Sequence, residues 1–204
     1  EARPVLLAFH GYGDVAQNFQ RTALHEVWPE AIVVYFQGLT TGRGLPGWQV
    51  EVGAGNRDLK LVDVAIASLR EMYAVDEDRI YATGFSNGGM FTYLLWAERP
   101  EVFAAYAPVA ARLRASVVPE QPRPVLHVAG EGDLVVDYAA QVAAIEIAVE
   151  VNGVGAQASS CGTGCTLYGG NTSTPVMSWI HPGAHVWPEE TSARIVSFLR
   201  DDPR

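Results

Sequence analysis

Residues 79–90 read Arg79-Ile80-Tyr81-Ala82-Thr83-Gly84-Phe85-Ser86-Asn87-Gly88-Gly89-Met90. The run Ile80 to Thr83 is β-branched and aromatic, the composition of a buried strand, and Met90 to Ala97 is helix-like. Between them stands a serine with glycine on both sides. A strand that turns sharply into a helix here lifts one side chain clear of the sheet edge. The glycines permit the strained backbone and close packing that such a turn needs. The helix that follows points its positive end at charge developing beside that side chain. Without its flanks the pattern is only a Gly-rich turn with a capping serine; the strand before and the helix after are what make Ser86 a candidate nucleophile.

Working outward, the same alternation of short apolar run, turn cluster and helix-like stretch fills the chain, with no internal repeat. Val5 to Phe9, Ala31 to Tyr35, Arg79 to Thr83, Ala104 to Val109, Val125 to Val128 and Val176 to Ile180 read as strands. Their near-continuous apolarity predicts central parallel strands. Helices are predicted over Asp58 to Tyr73, with Asp58 as its cap, and near Gly88 to Glu98, Tyr138 to Val151 and Glu189 to Arg200. Gln37 to Asn56, rich in Gly and holding Pro46 and Trp48, reads as a long loop of the kind that serves function. A length of 204 residues, 49% of them hydrophobic, suits one domain over 1–204 and leaves no room for a cap. The expected architecture is α/β, a mostly parallel central sheet with helices on both faces.

A serine nucleophile needs a base and an acid that orients it, and in this architecture they follow in the order Ser, acid, His on loops after later strands. Asp133 lies in Ala129-Gly130-Glu131-Gly132-Asp133 after one strand, with Asp137 as the alternative acid. His185 lies in His181-Pro182-Gly183-Ala184-His185-Val186-Trp187-Pro188 after another. A loop Asp or His alone is usually just solvated; the joint order is what selects these two. The glycine-rich His10-Gly11-Tyr12-Gly13-Asp14 after the first strand suits half of an oxyanion hole, with the backbone N-H groups of Tyr12 and Asn87 as donors. The alternative reading of this stretch is a tight turn with a structural His10. His25 reads as a surface residue and His127 as a core one. No H-E-x-x-H or paired CxxC spacing occurs, so no metal and no cofactor is expected.

The formal charge of −9, from 23 acidic and 14 basic residues, argues against a nucleic-acid partner and favours a neutral substrate over a polyanion. The longest apolar candidate, Val102 to Ala111, is too short to span a bilayer and holds Pro108, so no membrane partner is expected. The two cysteines, Cys161 and Cys165, stand among Gly162 and Gly164, which favours a small disulfide loop over a reduced pair. A disulfide places the chain in an oxidising compartment, secreted or periplasmic, as a mature form from which any signal peptide has been removed.

The motifs resemble the polyhydroxybutyrate depolymerase and feruloyl esterase family of α/β-hydrolases from about Val5 to Leu199. The matching residues are His10-Gly11 with Asp14, Asp76 to Met90, Gly130-Glu131-Gly132-Asp133, and Gly183-Ala184-His185-Val186-Trp187-Pro188. Ala184 departs from the usual glycine. The resemblance implies an α/β-hydrolase fold with Ser86, Asp133 and His185 as the triad, and Gly47-Trp48-Gln49-Val50 with Asn56-Arg57-Asp58 leans toward the feruloyl esterases. The expected activity is carboxylic ester hydrolysis through an acyl-enzyme, on a small-molecule or polymer-linked ester, with Trp48 and Trp187 as candidate walls for a hydroxycinnamoyl group. Polyhydroxybutyrate oligomer or acetyl ester hydrolysis is the alternative. A serine peptidase on the same fold is a rival of another class, which the lack of room for a gating domain disfavours. A non-catalytic binding module is the other rival, against which the triad order speaks.

Overall fold

The structure, a computed structural model, describes residues 1–155 and 157–200. Its strands are β1 (Arg3–Phe9), β2 (Ile32–Phe36), β3 (Leu39–Thr40), β4 (Pro46–Gly47), β5 (Val75–Phe85), β6 (Ala105–Val109), β7 (Val125–Gly130), β8 (Ala158–Gly162), β9 (Cys165–Tyr168) and β10 (Val176–His181). Its α-helices are α1 (Ala16–Phe19), α2 (Leu24–Val27), α3 (Arg57–Met72), α4 (Asn87–Glu98), α5 (Tyr138–Asn152) and α6 (Thr191–Arg200). One sheet of eight strands runs in the order β2-β1-β5-β6-β7-β10-β9-β8. Every pairing from β2 to β10 is parallel, and the last two are antiparallel.

Alternation along the strands divides the core between two faces. Val5, Leu7 and Phe9 of β1 pack with Leu59, Val62 and Ile66 of α3 and with Phe91 and Leu95 of α4. Leu6 and Ala8 point the other way, toward Phe19, Leu24 and the α6 residues Ile195, Val196 and Leu199. Because both faces are covered, the central strands carry no polar alternation. This is the α/β-hydrolase arrangement expected from the sequence, and no cap is inserted among the described residues.

The predicted strands and helices all form, with ends shifted by a few residues. Three features differ. Asp58 does not cap α3. It sits one residue inside the helix, 1% exposed, and its carboxylate accepts from the Gln49 backbone N-H at 2.6 Å and from Arg57 Nε at 3.0 Å. A buried carboxylate of this kind pins the long loop rather than the helix end. Within that loop β3 and β4 form a small hairpin. The third is a hairpin of β8 and β9 at the sheet edge, whose first strand is fully exposed and rich in Ser and Gly, so it carries no apolar signal. Cys161 and Cys165 are joined across its turn, as the sequence led us to expect. Gly162 and Gly164 there take φ of 125° and 68°, which glycine adopts without a Cβ clash.

His127, a core residue as expected, lies wholly buried on β7, its Nδ1 within hydrogen-bond distance, 2.6 Å, of the Tyr93 hydroxyl. Burial lowers its pKa from 6.5 to about 4, with the Gln141 side chain pulling the other way. Between those two values the unfolded chain binds the proton and the folded chain does not, so stability is full above about pH 6.5 and declines as pH falls toward 4. The decline from this one group is about 3 kcal/mol. Urea titrations of wild type and His127→Gln across that range are expected to show the flatter profile in the variant.

Candidate active site

The predicted elbow forms where β5 runs into α4. Ser86 is held at φ 54° and ψ −114°, a strained conformation for a residue with a Cβ, and its N-H bonds Val109 O at 2.8 Å. Gly88 is needed here because a Cβ at that position would collide with the carbonyl oxygen of Phe9 at the end of β1. The first turn of α4 therefore lies directly on the sheet, with Ser86 above it. Among the described residues the Ser86 hydroxyl makes no hydrogen bond.

Asp133 and His185 come together although 52 residues separate them. His185 Nδ1 lies 2.7 Å from Asp133 Oδ2, and the Asp133 side chain is fully buried. Three other donors complete the carboxylate: the Val135 and Val136 N-H groups reach Oδ1 at 2.8 and 2.9 Å, and Gln141 Nε2 reaches Oδ2 at 2.9 Å. Burial pushes the Asp133 pKa up, but the hydrogen bonds from His185, Val136 and Val135 outweigh it and the net direction is down. An ionised Asp133 fixes the proton of His185 on Nδ1 and leaves Nε2 as the basic nitrogen. The imidazole packs on Phe85, the residue before Ser86, with ring centroids 4.8 Å apart. His185, the candidate base, thus lies beside the elbow without a hydrogen bond to Ser86, a spacing common in sites without substrate. Asp137, the alternative acid, is engaged elsewhere: its Oδ1 accepts from the Ala139 N-H at 2.8 Å as the N-cap of α5.

Tyr12 and Asn87 border the same cleft as Ser86, a space of about 680 Å³. Among the described residues neither backbone N-H bonds to another protein group, which leaves both free for an oxyanion. The Asn87 side chain clamps the long loop, its Oδ1 accepting from Trp48 N at 2.7 Å and its Nδ2 donating to Trp48 O at 3.1 Å. His10 proves to be structural. Its Nε2 accepts from the Gly38 N-H at 2.9 Å, so its Nδ1 donates to Gly11 O at 2.7 Å, and the Tyr12 loop is held on both sides.

Of the two candidate walls, Trp48 borders the cleft and Trp187 does not. Trp48 is 3% exposed; its Nε1 donates to His10 O at 2.9 Å and its ring stacks on Phe91 at 5.6 Å. An aromatic in a Gly-rich loop that offers few other apolar side chains is drawn into the core by the area it buries. Trp187 stands edge-on to Phe19 at 5.3 Å, donates Nε1-H to Ser192 at 3.2 Å, and is not among the residues lining the cleft. It packs α6 against the sheet.

Gln141 was not foreseen. It is wholly buried on α5 and donates to both Asp133 Oδ2 and, at 2.7 Å, Val136 O. Only its apolar neighbours in a helix flag it in the sequence, and they do not say what it faces. As a positioning residue for Asp133, Gln141→Leu is expected to lower kcat about tenfold with KM unchanged, the scale of one hydrogen bond to a charged group. A stopped-rate assay at saturating ester checks it.

The prolyl oligopeptidase family matches residues 54–114, the stretch from the end of the long loop through the elbow. A bifunctional acetylxylan esterase/xylanase, XynS20E, of Neocallimastix patriciarum is 33% identical over 140 residues, 66% of this chain and 20% of that protein. Feruloyl esterase B of Piromyces equi is 30% identical over 148 residues, 68% of this chain and 27% of that protein. The chain spans well under half the length of these relatives. Among solved structures, the Bacillus cereus carboxylesterase superposes with a TM-score of 0.74 at 17% identity, covering 98% of this chain and 89% of that one. Fold and elbow make this chain an α/β-hydrolase. The sequence relatives just described are esterases, which bears out the resemblance drawn from the motifs on its feruloyl esterase side.

Proposed function

We propose that the chain is a serine carboxylic ester hydrolase working through an acyl-enzyme, feruloyl esterase-like toward small or polymer-linked esters. One observation carries the reading: the Asp133–His185 pair, 2.7 Å apart, packed on the residue that precedes the strained Ser86. His185 Nε2 takes the Ser86 proton as the hydroxyl oxygen attacks the ester carbonyl. The carbonyl oxygen becomes an oxyanion between the N-H groups of Tyr12 and Asn87, donors fixed in place before charge develops. Collapse expels the alcohol, which takes the proton from His185; water then repeats the sequence on the acyl-enzyme and frees the acid. Asp133 keeps the imidazole in the tautomer that this requires. Residues 1–204 act as one catalytic domain in this reading, and the Cys161–Cys165 bridge supports export to an oxidising compartment.

The prolyl oligopeptidase match favours a peptidase as second reading, yet it covers the elbow and α3, which bear on the nucleophile rather than on the leaving group. Trp48 borders the cleft with its ring nearly buried, so Tyr12, 39% exposed, is the more accessible aromatic of the lining to meet an aromatic acyl group. A panel of methyl ferulate, 4-nitrophenyl acetate, 3-hydroxybutyrate oligomers and a prolyl anilide, compared by kcat/KM, separates the readings. Hydroxycinnamoyl and small acyl esters are expected to be cleaved and the anilide not. Faster cleavage of the anilide than of every ester would overturn the proposal.

A further inference from the structure

The molecule is acidic overall, but the catalytic cleft is not. Arg43, Arg112 and Arg114 line it together with Glu51 and Asp137. Several arginines elsewhere are tied to carboxylates, as Arg70 to Glu77, Arg99 to Asp63 and Arg79 to Asp76, and Arg3 and Arg123 to backbone carbonyls. Within the cleft Arg114 pairs loosely with Glu51 at 3.6 Å, and Asp137 is occupied as a helix cap. Among the described residues Arg43 and Arg112 make no side-chain hydrogen bond or ion pair, and both are exposed.

Their placement is built into the fold. Arg112 follows Ala110, held at φ 49° with its N-H bonded to Val128 O at 2.8 Å, and Ala111, which is wholly buried against Gly89 in the first turn of α4. A strained alanine and an anchored one thus direct the next side chain to the rim beside Ser86. Arg43 lies at the tip of the β3–β4 hairpin, where its N-H bonds Thr41 Oγ1 at 3.2 Å; Pro46 O ties the same hairpin to the Gly13 N-H at 2.8 Å. The guanidinium groups approach the cleft from two separate loops. Two apolar side chains, Leu134 and Val135, 96% and 73% exposed, border the same space.

We infer that the cleft is a binding site for an ester bearing one carboxylate outside the scissile bond, with Arg43 and Arg112 receiving that carboxylate and Leu134 and Val135 the apolar part. The inference rests on the ester hydrolase reading above. Guanidinium groups match a carboxylate through paired N-H donors. Glu51 and Asp137 hold the local charge near one positive unit, which suits a monoanion rather than a polyanion. The carboxylate belongs either to the acyl part, as in a dicarboxylic half-ester, or to the alcohol part, as in an acylated uronic acid.

Two matched substrate pairs test it by kcat/KM: 4-nitrophenyl hemiglutarate against 4-nitrophenyl butyrate, and O-acetylated methyl glucuronide against O-acetylated methyl glucoside. The acidic member of at least one pair is expected to be preferred, and which pair it is identifies the side that carries the charge. In the Arg43→Gln/Arg112→Gln variant that preference is expected to fall about two- to tenfold, the range of one or two exposed ion pairs. Raising the salt from 0.05 to 0.5 M should erode it in the wild type, since exposed charges are screened. Arg21→Gln, an equal charge change away from the cleft, is expected to leave both ratios where they were. A preference for the neutral member in both pairs, or a ratio untouched by the double substitution, overturns the inference while leaving the hydrolase reading standing. Failure to cleave all four esters, with Ser86 unlabelled by a fluorophosphonate, overturns the hydrolase reading instead.

Discussion

Ser86→Ala is expected to lower ester hydrolysis by at least about a thousandfold while the chain stays folded, the scale on which loss of a triad nucleophile acts. The fold should tolerate the change for two reasons. The hydroxyl has no hydrogen-bond partner among the described residues, so its loss orphans no buried group. Alanine also meets the same backbone penalty at φ 54° that serine already carries. Turnover of 4-nitrophenyl acetate, read beside circular dichroism and thermal melting of the same sample, separates chemistry from folding. A folded variant with near-normal turnover would remove Ser86 from the mechanism. His185→Ala should match the loss, because the two residues act as one unit.

The second large effect is expected from Asp133→Asn, with Asp137→Asn as its partner experiment. In the first variant, Oδ1 keeps the Val135 and Val136 N-H groups, and the new amide turns N-H donors toward His185 Nδ1 and Gln141 Nε2. Two donors then face each other, so the imidazole adopts the other tautomer and Nε2 no longer accepts the serine proton. Turnover should fall on the order of a thousand- to ten-thousandfold. Asparagine caps a helix about as well as aspartate, so Asp137→Asn should stay within about twofold of the wild type. Steady-state rates at pH 7.5 decide between them, and equal small losses would mean that neither residue orients the base.

The order Ser86, Asp133, His185 was legible because these candidate residues sit at strand ends, where local signals are strong. Strand, glycine, serine, glycine and helix are contiguous from Ile80 to Ala97, so the turn is specified by residues that touch one another. The same holds for the bridge of Cys161 and Cys165, four positions apart with Gly162 and Gly164 between them. The central parallel strands were legible because burial on both faces leaves them uniformly apolar.

What lay outside the sequence's reach depends on which side chains meet across the fold. Trp48 and Trp187 stand in segments that look functional, yet Trp48 borders the cleft with its ring stacked on Phe91, and Trp187 packs on Phe19 outside it. Gln141 is an unremarked polar residue in a helix until the packing of α5 on β7 sets it 2.9 Å from Asp133. The net charge pointed to a neutral substrate, but charge is felt locally over roughly a Debye length, about 8 to 10 Å. The chain by itself determined the sheet, the elbow and the order of the candidate triad, all set by neighbours in sequence. Only the tertiary structure decided which aspartate meets His185, how deeply the tryptophans are buried and which cleft arginines stay unpaired, because those follow from contacts between segments far apart in the chain.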